Sequence, residues 1–187
     1  GGCFVERIPV QKLAKVLYIL VLIALACNII AVYLVPAVVL VGGTQRFVAH
    51  PEWWGGLQGA TAAWTHGWIW FSGHEWALTL FLVFAGANTA VILWQARRVL
   101  KTVLAGTPFA SENAVSLRRA AVCCFLIAAA ALARVIFSVC CYRSPLPLAT
   151  YNALFVPMFA MAGLLCLVMS ALFRQAAEMK AENDLTI

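Results

Sequence analysis

A single cation stands where cations are costly. Arg134 interrupts an apolar run from Ala120 to Tyr142, and a charge at that depth in a bilayer usually faces a partner or a wet cavity. An arginine so placed can hold an anion, a lipid headgroup or a peptide carboxylate. The polar groups at similar depth are few. Asn28 lies in the first apolar run, Asn88 in the second, and Glu75 at the second's outer edge. At about 1.5 Å per residue, Arg134 lies roughly 21 Å and Asn28 roughly 18 Å from the same side. A hydrogen bond from Arg134 to Asn28, or to backbone freed by Pro36 or Pro157, is within reach. Glu75 is the nearest counter-ion.

A second chemistry belongs to the histidines. His50, His66 and His74, with Glu52 or Glu75, are ligand types that suit zinc. Their spacings, 16 and 8, match no compact motif such as H-E-x-x-H. Loop histidines of this kind also titrate near neutrality and can sense pH. Cys27, Cys123, Cys124 and Cys166 fall inside apolar runs, where a thiol packs as a small hydrophobe. Cys140 and Cys141 lie near a run's end, and adjacent cysteines rarely bridge to each other. The chain carries no nucleophile elbow, no P-loop and no acidic pair within an apolar run. No cofactor is implied, and an enzyme is the least supported class.

The elements that position these residues are four apolar runs, at 16–41, 76–96, 120–142 and roughly 146–173, with Arg134 the one formal charge inside them. A hydrocarbon core needs about 20 apolar residues per helix. With 64% hydrophobic and 11% charged residues among 187, a soluble fold would leave large apolar patches exposed. The expected fold is all-α and integral to the membrane: one domain over 1–187, four transmembrane helices and a tail at 174–187. The first run exceeds a signal peptide's apolar region of about 7–15 residues and reads as a retained helix.

Net charge is +6, and its placement argues for orientation rather than nucleic acid. Arg7, Lys12, Lys15, Arg97, Arg98, Lys101, Arg118, Arg119, Arg174 and Lys180 fall on one side of four crossings; Arg46 and Arg143 fall on the other. Loops rich in Lys and Arg stay cytoplasmic. Both termini are therefore expected inside, with the basic residues at anionic headgroups. The segment between the first two runs is then an outer, Trp-rich loop, with Trp53, Trp54, Trp64, Trp68, Trp70 and Trp76. Indole rings favour the interface, so an interfacial cap is expected, with a short helix near Gln58 to Trp70 and glycines at 55, 56 and 59 interrupting anything longer.

Prolines and small residues set the remaining expectations. Pro9 can open the first helix, leaving residues 1–15 interfacial, and Pro36 should kink or end it. Gly86 and Ala90, like Ala160 and Gly163, permit close helix contact. Ser111 or Thr107 can cap the third long helix, whose positive end Glu112 favours.

Two polar segments are similar to a known family. They are Gly106-x-Pro108-Phe109-x-x-Glu112-Asn113-x-x-x-Leu117-Arg118-Arg119, and Leu172-Phe173-Arg174-x-x-Ala177-Glu178 followed by Glu182-Asn183-Asp184-Leu185-Thr186. With four spans in this order, they resemble the YoaS-like family of bacterial membrane proteins of unknown function. The resemblance covers most of the chain and implies a multi-pass protein of the bacterial cytoplasmic membrane, with no assigned activity. It also implies, by association, partnership with a small cytoplasmic helix-turn-helix regulator. Phe109, Glu112, Asn113, Arg118, Glu182, Asn183, Asp184 and Leu185 are then the docking candidates. A membrane sensor or regulator, with a second copy of the chain as a further partner, is the leading reading. The others are a small transporter, channel or resistance or immunity protein using Arg134, Asn28 and Asn88, and a membrane metal-binding protein or enzyme.

Overall fold

The computed structural model describes residues 4–42, 56–69, 71, 73–107, 110–142 and 151–184, with backbone alone at 4–10, 56, 57, 68, 74, 142, 151, 152 and 184. Among the described residues there are five α-helices: α1 (Phe4–Leu40), α2 (Gly56–Thr65), α3 (Gly73–Leu104), α4 (Ser111–Tyr142) and α5 (Tyr151–Asp184). A 3₁₀ turn, Gly67–Ile69, follows α2. Four of the helices contain stretches long and apolar enough to cross a membrane: Gln11–Leu40, Glu75–Leu104, Ser111–Cys141 and Ala153–Asn183. The described residues form an all-helical fold, and the chain is an integral membrane protein.

The helices outrun the apolar segments that announce them. α1 begins at Phe4 and passes through Pro9 and Pro36, so residues 4–15 are helical and Pro36 does not end the helix. At the other end α3 continues eight residues past Ala96, α4 starts nine before Ala120, and α5 runs to Asp184. Polar residues such as Arg, Lys, Gln and Glu are good helix formers, so leaving the apolar zone does not stop a helix. A start for the last run near Leu146 falls outside the described residues.

Caps stop them instead. Thr107 N–H bonds the carbonyl of Thr102 at 3.0 Å, and Gly106 N–H that of Val103 at 3.1 Å. This pairing is a Schellman closure, which needs a left-handed residue; Gly106 supplies it at φ 79°. Gly42, at φ 85°, ends α1 in the same conformation. Thr107 therefore closes α3, its hydroxyl 3.4 Å from the Thr102 carbonyl, rather than capping α4.

The long helices pack in sequence, α1 on α3, α3 on α4 and α4 on α5. Gly86 of α3 lies where a Cβ would collide with Val32 of α1, and Asn28 Nδ2 donates to the Gly86 carbonyl at 3.0 Å. Gly163 of α5 meets the Phe125 ring of α4, 3.0 Å from where a Cβ would sit. Ser170 Oγ donates to the Ala114 carbonyl at 2.7 Å. Neighbours are antiparallel, so Lys12, Lys15, Arg97, Arg98, Lys101, Arg118, Arg119, Arg174 and Lys180 gather at one end of the row.

At the opposite end α2 seats on the last turns of α1. Ala60 and Ala63 meet Ala37, with Tyr33, Leu34, Val38 and Val41 around them. Trp64 Nε1 donates to the Tyr33 carbonyl at 2.7 Å, next to the Val32 carbonyl that Pro36 leaves without its helical donor. Gly56 opens this helix and Gly59 lies within it. They do not break it: the small side chains of Ala60 and Ala63 let α2 approach α1 closely. Trp53, Trp54 and Trp70 lie outside the described residues.

Substituting Gly86→Leu should lower stability by about 1–3 kcal/mol through overpacking against Val32, read as a thermal melt in detergent. Val32→Ala should restore part of the loss; no loss in the single variant would contradict the close contact. Gly106→Ala should cost about 1–2 kcal/mol in the same assay, since it forces a Cβ into a left-handed position.

Candidate functional site

Arg134 lies on α4 where it meets α3, and one of its contacts is aromatic. The guanidinium carbon stands 5.0 Å from the centroid of the Phe81 ring. A cation over an aromatic face within about 6 Å is held by the ring quadrupole. Phe81 is edge-on to Phe155 of α5 at 6.4 Å, and Phe155 stacks on Phe159 at 5.9 Å. One cation and three rings thus join α3, α4 and α5. Beside them runs an apolar groove of about 560 Å³, lined by Ala77, Leu80, Phe81, Phe84, Ala130, Ala133, Arg134 and Phe137.

Two of the polar residues expected around Arg134, Asn28 and Asn88, bond backbone carbonyls elsewhere. Asn28 gives its amide to the Gly86 carbonyl across the α1–α3 contact, and α1 packs on α3 rather than on α4. Asn88 Nδ2 donates to the Phe84 carbonyl in its own helix at 2.9 Å. The geometry therefore does not assemble Arg134, Asn28 and Asn88 into one polar path. Glu75 occupies the first turn of α3, where a carboxylate is favoured by the helix dipole. It lies about 9 Å along the axis from Phe81.

Of the metal candidates, His50 and Glu52 lie outside the described residues, as does the His74 side chain. His66 is exposed at the end of α2. Among the described residues no three metal-capable side chains cluster. Cys27, Cys123, Cys124, Cys140, Cys141 and Cys166 are free thiols, and Cys124 meets Cys166 across the α4–α5 contact.

The basic end holds the remaining candidates. Asn113 is not a surface residue: it is 1% exposed, and its Oδ1 lies 2.9 Å from the Thr102 hydroxyl. That hydroxyl also lies 2.7 Å from the Val99 carbonyl. One proton cannot serve both, so the turn is tied either by Thr102 donating to Asn113 or by the flipped amide donating to Thr102. Its neighbour Ser116 is buried as well. Glu112, Arg118, Glu182 and Asn183 are exposed. Phe109 and Leu185 fall outside the described residues, and Asp184 is described by backbone alone.

Other contacts have no counterpart in the sequence reading. Arg97 lies 4.9 Å from the Trp94 ring centroid, and its Nε donates to the Tyr18 hydroxyl at 3.3 Å. This anchors α1 to α3 at the basic end. Thr79 and Gln95 are buried, each with an oxygen that makes no hydrogen bond among the described residues. Between α4 and α5 a groove of about 620 Å³ is lined by Ser111, Ala114, Val115, Arg174, Ala177, Glu178, Lys180 and Ala181. Arg174 Nε bonds Glu178 Oε1 there at 2.9 Å.

A double-mutant cycle with Arg134→Leu and Phe81→Leu, followed by thermal unfolding in detergent, should give a coupling energy of about 0.5–2 kcal/mol. Additive effects would mean that the ring does not hold the cation.

The comparisons with curated proteins and with solved structures gave no match. The profile of one family, Protein of unknown function (DUF2975), matches residues 68–187. That stretch contains α3, α4 and α5 with the Arg134 cluster and the whole α4–α5 groove. The chain belongs to the DUF2975 family.

Proposed function

We propose that this chain is a multi-pass regulator in the bacterial cytoplasmic membrane that holds a small helix-turn-helix protein at the basic end of α4 and α5. The supporting observation is the α4–α5 groove. α5 continues beyond Phe173 as a helix bearing Arg174, Glu178, Lys180 and Glu182. Its Ala177 and Ala181, with Ala114 of α4, line a shallow groove edged by charge. Small residues let a partner helix approach closely, while edge charges steer association and fix register. The finer likeness to YoaS-like proteins rests on the segments around Gly106 to Arg119 and Leu172 to Thr186, which bracket this groove, and it supplies the regulator.

In this reading the nine described basic residues at one end face the cytoplasm, as expected for Lys- and Arg-rich ends. α2 and the tryptophans near it meet the signal on the far side. α1 and α5, at the two edges of the row, face lipid or a second copy. A transport path finds less support, because the amides of Asn28 and Asn88 are both bonded to backbone carbonyls.

The test is co-purification of the tagged full-length chain with the helix-turn-helix protein encoded beside it. Reversing the groove charges with Arg174→Glu and Lys180→Glu should reduce capture by about tenfold or more, a loss of roughly 1.4 kcal/mol or above. Lys12→Glu, at the same end but off the groove, should leave capture intact. Equal capture by the groove variant, or none by the wild type, would overturn the proposal.

A further inference from the structure

We propose that the apolar groove beside Arg134 binds one long-chain carboxylate, of the fatty-acid class. The groove, of about 560 Å³, lies between α3 and α4, and every side chain along it except Arg134 is apolar. Its volume falls within the range of small-molecule sites, about 300–1,000 Å³. Leu80, Phe84 and Phe137 on its walls are exposed, so it opens toward the lipid, from which a chain can enter.

Shape selects a hydrocarbon chain. The groove spans Ala77 to Phe84 on α3 and Ala130 to Phe137 on α4, about 10 Å of each helix. Over that length its volume leaves a cross-section of about 50 Å², against roughly 80–110 Å² for a helix about 10–12 Å across. A partner helix can lie over the groove but not in it, whereas an extended chain fits.

Charge selects an acid. Arg134 is the one formal charge in the four apolar runs. Its guanidinium carries five N–H donors in a planar fork that matches a carboxylate, so the Phe81 ring and further acceptors can share it. Depth selects among acids. Arg134 is eight residues before the end of α4, and Phe81 is eight after the start of α3. The cation therefore lies roughly 12 Å along the axis from those helix ends, and side chains on α4 lean away from its end. A phospholipid keeps its permanently charged phosphodiester at the headgroup level. A carboxylic acid can enter hydrocarbon in its neutral form and reach the cation there.

This site is separate from the α4–α5 groove, so its failure would not touch the regulator proposal. The full-length chain in phosphatidylcholine nanodiscs is photolysed with hexadecanoic acid carrying a mid-chain diazirine, and the adducts are mapped by peptide mass spectrometry. Label is expected on residues 77–84 and 130–137, with unlabelled hexadecanoic acid protecting them. Hexadecanol, which has the chain without the charge, should need a concentration about tenfold or more higher for equal protection. Arg134→Leu should erase that preference and Arg134→Lys should keep part of it, which a merely structural arginine would not do. Ala133 is exposed, so Ala133→Leu fills the groove without disturbing helix contacts and should cut labelling several-fold. Leu164→Phe, exposed on α5, should leave labelling unchanged. Equal protection by acid and alcohol in the wild type overturns the proposal, as does labelling indifferent to both Arg134→Leu and Ala133→Leu. Protection by phosphatidylglycerol matching that by hexadecanoic acid would assign the groove to a phospholipid, and cross-linking between Ala133→Cys copies would assign it to a second chain; either result overturns it.

Discussion

Long helices in hydrocarbon gain little by burying leucine against leucine, because the lipid is as apolar as the partner. Close backbone approach has to hold them together. The whole row of helices depends on it. At Gly86 the backbone of α3 comes against Val32 and receives the amide of Asn28. At Gly163 the backbone of α5 meets the face of Phe125. On α4, Ala120, Ala121, Ala128 and Ala131 are buried, which lets that helix take a neighbour on each side. Many large apolar residues are left outside: Leu20, Ile23, Ile30, Leu164, Leu165 and Val168 are all exposed on the two flanking helices, as lipid-facing positions should be.

The same constraint explains how Arg134 is tolerated. A guanidinium in this zone needs an electron-rich surface, and the packing of α4 on α3 brings one in the Phe81 ring. Phe155 and Phe159 extend that surface onto α5, so the cation also marks where three helices meet. Away from the apolar zone, the rules change to those of water. Schellman bonds end α3, and a Thr–Asn contact ties the turn. The α4–α5 groove proposed as a docking site lies in this second region, where exposed charge carries no desolvation penalty.

The four long apolar helices were legible from residue types alone, because a bilayer demands such helices and the chain has few charges to spare within them. The small residues at 86 and 163 were legible for a related reason: where packing must be close, only they fit. The helix ends were not, since Arg, Lys, Gln and Glu extend a helix as well as leucine does. Partners for Arg134 were sought among Asn28 and Glu75, because polar groups are the natural company of a charge. For Asn28 helix order decides otherwise: α1 packs on α3, which spends Asn28 there, and the Phe81 ring that meets Arg134 reads in sequence as ordinary lipid-facing phenylalanine. Asn113 looked like part of a surface motif, yet the short turn folds it inward against Thr102. The expectations about His50, Glu52 and the tryptophans at 53, 54 and 70 rest on residues beyond those described.

Every functional statement rests on four crossings that bring the basic ends to one side. Single cysteines at Gln58, Thr107 and Glu182, on a background with the native cysteines replaced, can be treated with a membrane-impermeant maleimide in intact and then permeabilised cells. The account predicts that Gln58→Cys reacts in intact cells, while Thr107→Cys and Glu182→Cys react only after permeabilisation. Labelling of Gln58→Cys and Thr107→Cys from the same side, or of Thr107→Cys and Glu182→Cys from opposite sides, would contradict it.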